Sequence, residues 1–112
     1  MRRRVLLLLV VAGSAALTAG CGRIGLGKPV ATNAVLLPKS YRFDPAAIVV
    51  KSGTSVTWTN HDNFTHTVKV EDGTVHKISP GQSVTIAFPK TGTYHYLCTL
   101  HPHDMRGKVI VQ

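Results

Sequence analysis

The sequence predicts an all-β domain, a sandwich or barrel of short strands. Three observations carry this reading. Short runs rich in Val, Ile, Thr and Tyr recur from Asn33 onward, Gly, Pro, Asn and Asp punctuate them, and no segment there holds a helical period. Many short strands at close spacing build sandwiches or barrels, because each strand needs a second layer to cover its apolar face.

In chain order the predicted strands are Ala34–Leu37, Ile48–Lys51, Ser55–Asn60, His66–Val70, Val75–Ile78, Ser83–Phe88, Thr93–Leu97 and Lys108–Val111. In the third, Val56 and Trp58 fall on one face and Thr57 and Thr59 on the other, the period of two of a half-buried strand. Turns fall at Ser52-Gly53, Glu71-Asp72-Gly73, Pro80-Gly81 and Thr91-Gly92. Roughly 80 residues make a marginal core for such a fold without a staple. A metal bridging distant strands would supply one.

Ahead of this domain, residues 1–20 read as an export signal peptide. Arg2, Arg3 and Arg4 precede an apolar run from Val5 to Ala12, and small residues follow through Gly20. A membrane span needs about 20 predominantly apolar residues, and Gly13, Ser14 and Thr18 interrupt this one. Leu17-Thr18-Ala19-Gly20-Cys21 resembles the lipobox of bacterial lipoproteins, although Thr18 stands where a larger aliphatic residue is usual. That resemblance implies lipidation of Cys21; ordinary cleavage nearby is the alternative. Residues 21–32, with Gly22, Gly25, Gly27 and Pro29, read as a flexible tether, and residues 33–112 as the domain. The expected location is periplasmic or otherwise extracytoplasmic, with a lipid anchor in a membrane.

The whole chain carries a net charge of +8, and setting aside the three signal arginines leaves ten basic against five acidic residues. Lys39, Arg42, Lys51, Lys69, Lys77, Lys90, Arg106 and Lys108 lie singly rather than clustered with aromatics. This argues against a nucleic-acid partner. A solvated surface, or one suited to anionic lipid or an acidic partner protein, fits better. The two cysteines, Cys21 and Cys98, would invite a disulfide in an exported chain. If Cys21 is lipidated, Cys98 is left alone, and a lone thiol in an oxidising compartment suggests a bound metal.

The chemistry gathers at Cys98, at His101 three residues later and at Met105 four beyond that. Cys98 closes a strand, Pro102 stiffens the turn that can fold His101 and Met105 back to one point, and Gly107 frees the chain to re-enter a strand. Two soft sulfur donors with imidazole select copper, and a His₂Cys set with a long axial Met marks an electron-transfer copper site. The second histidine has to come from elsewhere. His66, opening a strand after the loop at 61–65, is the candidate.

These residues lie within a longer series of motifs. Tyr41-Arg42-Phe43-Asp44-Pro45, Ile48, Val50, Gly53 and Val56-Thr57-Trp58-Thr59-Asn60 come first, then His66-Thr67-Val68, Pro80-Gly81, Phe88 and Gly92-Thr93-Tyr94-His95-Tyr96-Leu97-Cys98. The series closes with Cys98-Thr99-Leu100-His101-Pro102, Met105 and Arg106-Gly107-Lys108-Val109. In this order it resembles the cupredoxin family, which includes plastocyanin, azurin and amicyanin, over nearly all of Tyr41 to Val111. The resemblance implies a Greek-key β-sandwich of about seven to eight strands. It implies one type 1 copper ion held by His66, Cys98, His101 and Met105, and a monomeric electron carrier, not an enzyme, serving redox partner proteins. It also implies that the Thr67 backbone N–H donates to the Cys98 sulfur and that Asn60 braces the loop. One departure stands out: the three residues between His101 and Met105 match azurin's interval, whereas the two between Cys98 and His101 do not. Met105 as a core filler is the alternative at that position. His103, following Pro102, is kept out of the ligand set.

Other chemistries fit less well. Zinc gains little from a Met ligand, one cysteine cannot hold an iron–sulfur cluster or a c-type haem, and a Cys/His nucleophile leaves Met105 unexplained. A copper delivery or storage protein of the same fold remains an alternative. His61, His76 and His95 read as surface histidines, with His95 facing away from Tyr94 and Tyr96.

Overall fold

Alternation of apolar and polar residues decides which side of each strand turns inward. The computed structural model describes residues 25–112. The expected export signal at 1–20 and the expected lipidation site Cys21 lie outside the described residues. Nine strands are present: β1 (Val30–Ala31), β2 (Ala34–Leu37), β3 (Ala47–Val50), β4 (Thr54–Asn60), β5 (His66–Val70), β6 (Val75–Ile78), β7 (Ser83–Phe88), β8 (Gly92–Leu97) and β9 (Arg106–Val111). They form a six-stranded sheet in the order β1-β3-β9-β8-β5-β6 and a three-stranded sheet in the order β2-β4-β7. The fold is an all-β sandwich, and among the described residues there is no helix.

The core lies between the sheets. Val35 and Leu37 of β2, Val56 and Trp58 of β4 and Phe88 of β7 pack with Ile48, Val68, Ile78, Tyr96 and Val109 from the other sheet. On β4, Val56, Trp58 and Asn60 are buried while Thr57 and Thr59 face outward. There Thr57 pairs with Thr85 at 2.9 Å and Thr59 with Ser83 at 2.8 Å, cross-strand hydroxyl contacts that mark the polar face.

β3 lies one residue earlier than expected and β4 and β8 each begin one residue earlier, and three larger details also differ from the sequence expectation. The count is nine strands rather than seven to eight, and the additional one, β1, falls inside the stretch 21–32 expected to be a tether. Both of its residues are exposed and carry no alternation; β1 exists through parallel pairing of Val30 and Ala31 with Ile48 and Val49. The last strand begins at Arg106, two residues earlier than expected, because Arg106 and Gly107 pair with Leu97 and Tyr96. That ladder overrides the weak strand preference of glycine.

The topology sets the site. β5 lies between β6 and β8, with Lys69 opposite Leu97 and Val70 opposite Tyr96. The N-terminal end of β5, where His66 stands, therefore adjoins the chain leaving the C-terminal end of β8, where Cys98 stands.

Candidate metal centre

Past Leu97 the chain leaves the ladder, and the Thr67 side chain of β5 takes over the bond to its backbone at Thr99. The Thr67 hydroxyl accepts the Thr99 N–H at 2.7 Å, and the two threonine hydroxyls meet at 2.8 Å. The departing loop is then wound tightly on itself. The His101 N–H donates to the Cys98 carbonyl at 3.1 Å, the Met105 N–H to the His101 carbonyl at 2.9 Å, and the Cys98 N–H to the Met105 carbonyl at 3.0 Å. Arg106 Nε clamps the turn from outside, donating to the Pro102 carbonyl at 2.6 Å. Two successive turns thus carry His101 back over Cys98 and tie Met105 to both.

The opposite wall is the loop before β5, and Asn60 holds it. Its side-chain amide donates to the carbonyls of Phe64 at 2.8 Å and Ile78 at 2.9 Å, while its Oδ1 accepts the Asp62 N–H at 2.8 Å. A buried polar side chain needs partners of this kind, and with them it fixes the loop that delivers His66.

His66 Nδ1 and His101 Nδ1 each lie 3.9 Å from Cys98 Sγ. The three donor atoms fall within 4.8 Å of one another, the one such group among the described residues. Metal–sulfur and metal–nitrogen bonds of about 2.3 and about 2.0 Å, opened to about 120°, separate sulfur from nitrogen by roughly 3.8 Å. Both sulfur–nitrogen spacings suit donors that share one metal ion. Cys98, His66 and Met105 are fully buried, whereas His101 is half-buried. His61, His95 and His103 are exposed and His76 is half-buried, and none belongs to the group.

Asp62 has a part that the sequence reading missed. Its Oδ2 accepts a hydrogen bond from His66 Nε2 at 2.8 Å, and both side chains are buried. With the proton held on Nε2, the Nδ1 lone pair is left facing the sulfur, the tautomer a metal requires. That bond from His66 keeps the Asp62 carboxyl below its ordinary value of 3.8. The available signal was an acid four residues before a ligand-type histidine, which a loop assignment obscured.

Burial pushes the Cys98 thiol up, but the Thr67 N–H at 3.4 Å, the imidazoles of His101 and His66 and the Leu100 backbone outweigh it. The thiol falls from 9.0 to about 6. The Thr67 hydroxyl lies 3.7 Å from the same sulfur. Since the folded value is depressed, the thiolate's contribution to stability is complete above pH 9 and is lost as pH falls through about 6. Thiolate absorbance of the metal-free protein should therefore titrate with a midpoint near pH 6. A midpoint near 9 would mean that these contacts do not govern the sulfur.

A family model described as the cupredoxin-like domain matches residues 5–111. The chain is 36% identical to chloroplastic plastocyanin of Tetradesmus obliquus, over 93% of this chain and 77% of that protein. It is 34% identical to amicyanin-alpha of Methylorubrum extorquens, over 94% of this chain and 92% of that one. Among solved structures, a purple cupredoxin from Nitrosopumilus maritimus superposes with a TM-score of 0.65 at 25% identity, covering 72% of this chain and all of that one.

Proposed function

Since the chain belongs to the cupredoxin-like family, we propose that it is a blue-copper electron carrier with His66, Cys98, His101 and Met105 as the ligands of one copper ion. The observation that carries the proposal is the placing of both Nδ1 atoms at 3.9 Å from the buried sulfur of Cys98, unpaired among the described residues. Bound copper would supply a reversible one-electron couple between Cu(II) and Cu(I).

The protein's own residues do the rest. Asp62 fixes the ring and tautomer of His66, Asn60 braces its loop, and the Thr67 N–H stabilises negative charge on the Cys98 sulfur. Burial of Cys98 and Met105 keeps water from the sulfurs, and the sheet limits how far the donors move when the charge changes. His101, the half-buried member of the set, is the natural point of electron entry and exit. The basic surface suits acidic redox partners, and the N-terminal sequence suits an exported chain held at a membrane by lipid on Cys21.

Adding copper to the purified domain and recording its visible spectrum and voltammogram tests the reading. An intense thiolate-to-copper band with fast, reversible reduction is expected. Colourless copper that passes readily to a chelator would assign the chain to delivery or storage instead. Met105→Leu should keep the band and shift the potential. Unchanged potential and spectrum would remove Met105 from the ligand set.

A further inference from the structure

The two histidines of the centre are held unequally. His66 is fully buried at the start of a strand and bonded through Nε2 to Asp62. His101 is half-buried on a turn, and among the described residues no hydrogen bond restrains its Nε2. Yet its ring meets that of Tyr41 edge-on, at a centroid distance of 4.7 Å and an interplanar angle of 65°. The Tyr41 ring also lies 5.8 Å from His66 at 84° and stacks with Phe64 at 6.2 Å.

Tyr41 is itself an unusual residue for its place. Its φ is 53°, in the left-handed region that bulky side chains seldom adopt and glycine adopts freely. The residue is 41% exposed, so core burial does not account for holding a tyrosine there. Strain of this kind persists where surrounding contacts over-determine it, and here the contacts are the two donor imidazoles and Phe64.

We infer that Tyr41 is a positioning residue for His101: its ring confines the imidazole against Cys98, the part that Asp62 performs for His66. The inference deepens the carrier reading and rests on it for its purpose, which is to limit swinging of the exposed donor as an electron arrives or leaves. It explains why an aromatic side chain occupies a glycine-like turn position at the edge of the centre.

Tyr41→Gly separates this role from a structural one, because glycine suits the turn. In the metal-free variant, NMR relaxation dispersion on labelled histidine rings should show the displaced His101 conformer raised about two- to tenfold, the range of an aromatic pair. His66 should be unaffected and Tm should stay near the parent's. In the copper-loaded variant, electron self-exchange should slow. Tyr41→Phe should restore both, since the ring rather than the hydroxyl makes the contacts. Unchanged His101 exchange in Tyr41→Gly, equal release in Tyr41→Phe, or release that merely follows a fall in Tm would each overturn the inference. The metal-free measurement stands apart from the carrier reading, which fails instead if the parent protein takes up no copper.

Discussion

Cys98→Ser should abolish the intense thiolate-to-copper absorption and, with it, the stabilisation that copper gives the fold. Serine offers a hard, protonated hydroxyl where the centre presents a sulfur with a pKa of about 6. The Thr67 N–H and both imidazoles, spaced about one sulfur atom, would be left around a smaller and poorer donor. A ligand that binds only the folded state adds about 4 kcal/mol at a free concentration a thousand times its Kd. The parent should therefore melt well above its metal-free form under that condition, while Cys98→Ser melts at one temperature with or without copper. Retention of the coloured band by the serine variant would dismiss the sulfur as a ligand.

Gly107→Ala should be the most damaging single-methyl change in the domain. A Cβ at position 107 would overlap the Tyr96 ring and hydroxyl and approach the Ala46 carbonyl oxygen to 2.7 Å. Neither neighbour can yield cheaply. The Tyr96 ring is buried between Phe43 at 4.8 Å and Trp58 at 5.2 Å, both edge-on, and the Ala46 carbonyl accepts the Lys108 N–H at 2.8 Å. Overpacking of this kind costs about 3 kcal/mol or more. In a domain of this size that lowers Tm by roughly 12–24 °C, measured by thermal denaturation of the metal-free protein. A loss of only a degree or two would mean that Tyr96 and its neighbours have a second packing available.

The same glycine shows where reading along the chain falls short. Its presence suggests a need for backbone freedom on re-entering a strand, but its φ is not in the left-handed region. What excludes a side chain is a ring from the neighbouring strand, paired with it at Tyr96. Asp62 and Tyr41 were overlooked for a related reason. Each looks like an ordinary loop residue until the fold sets the Asp62 carboxylate on the far nitrogen of His66 and the Tyr41 ring on His101. By contrast, the alternation of Val56 and Trp58 with Thr57 and Thr59 is visible at a glance, and the strand obeys it.

By itself the sequence determined the strand pattern, through a period of two that any half-buried sheet imposes, and the spacing of the loop from Cys98 to Met105, whose turns close within eight residues. Its linked motifs also pointed to the family. Only the tertiary structure decided that β5 lies directly beside β8, so that His66 reaches Cys98 from 32 residues away. It also decided that β1, β2 and β3 join their neighbours in parallel. The physical reason is that periodicity records which face of a strand is buried, not which strand or side chain covers it. Pairing between distant segments depends on how all the apolar faces can be satisfied at once, and that choice belongs to the whole sandwich.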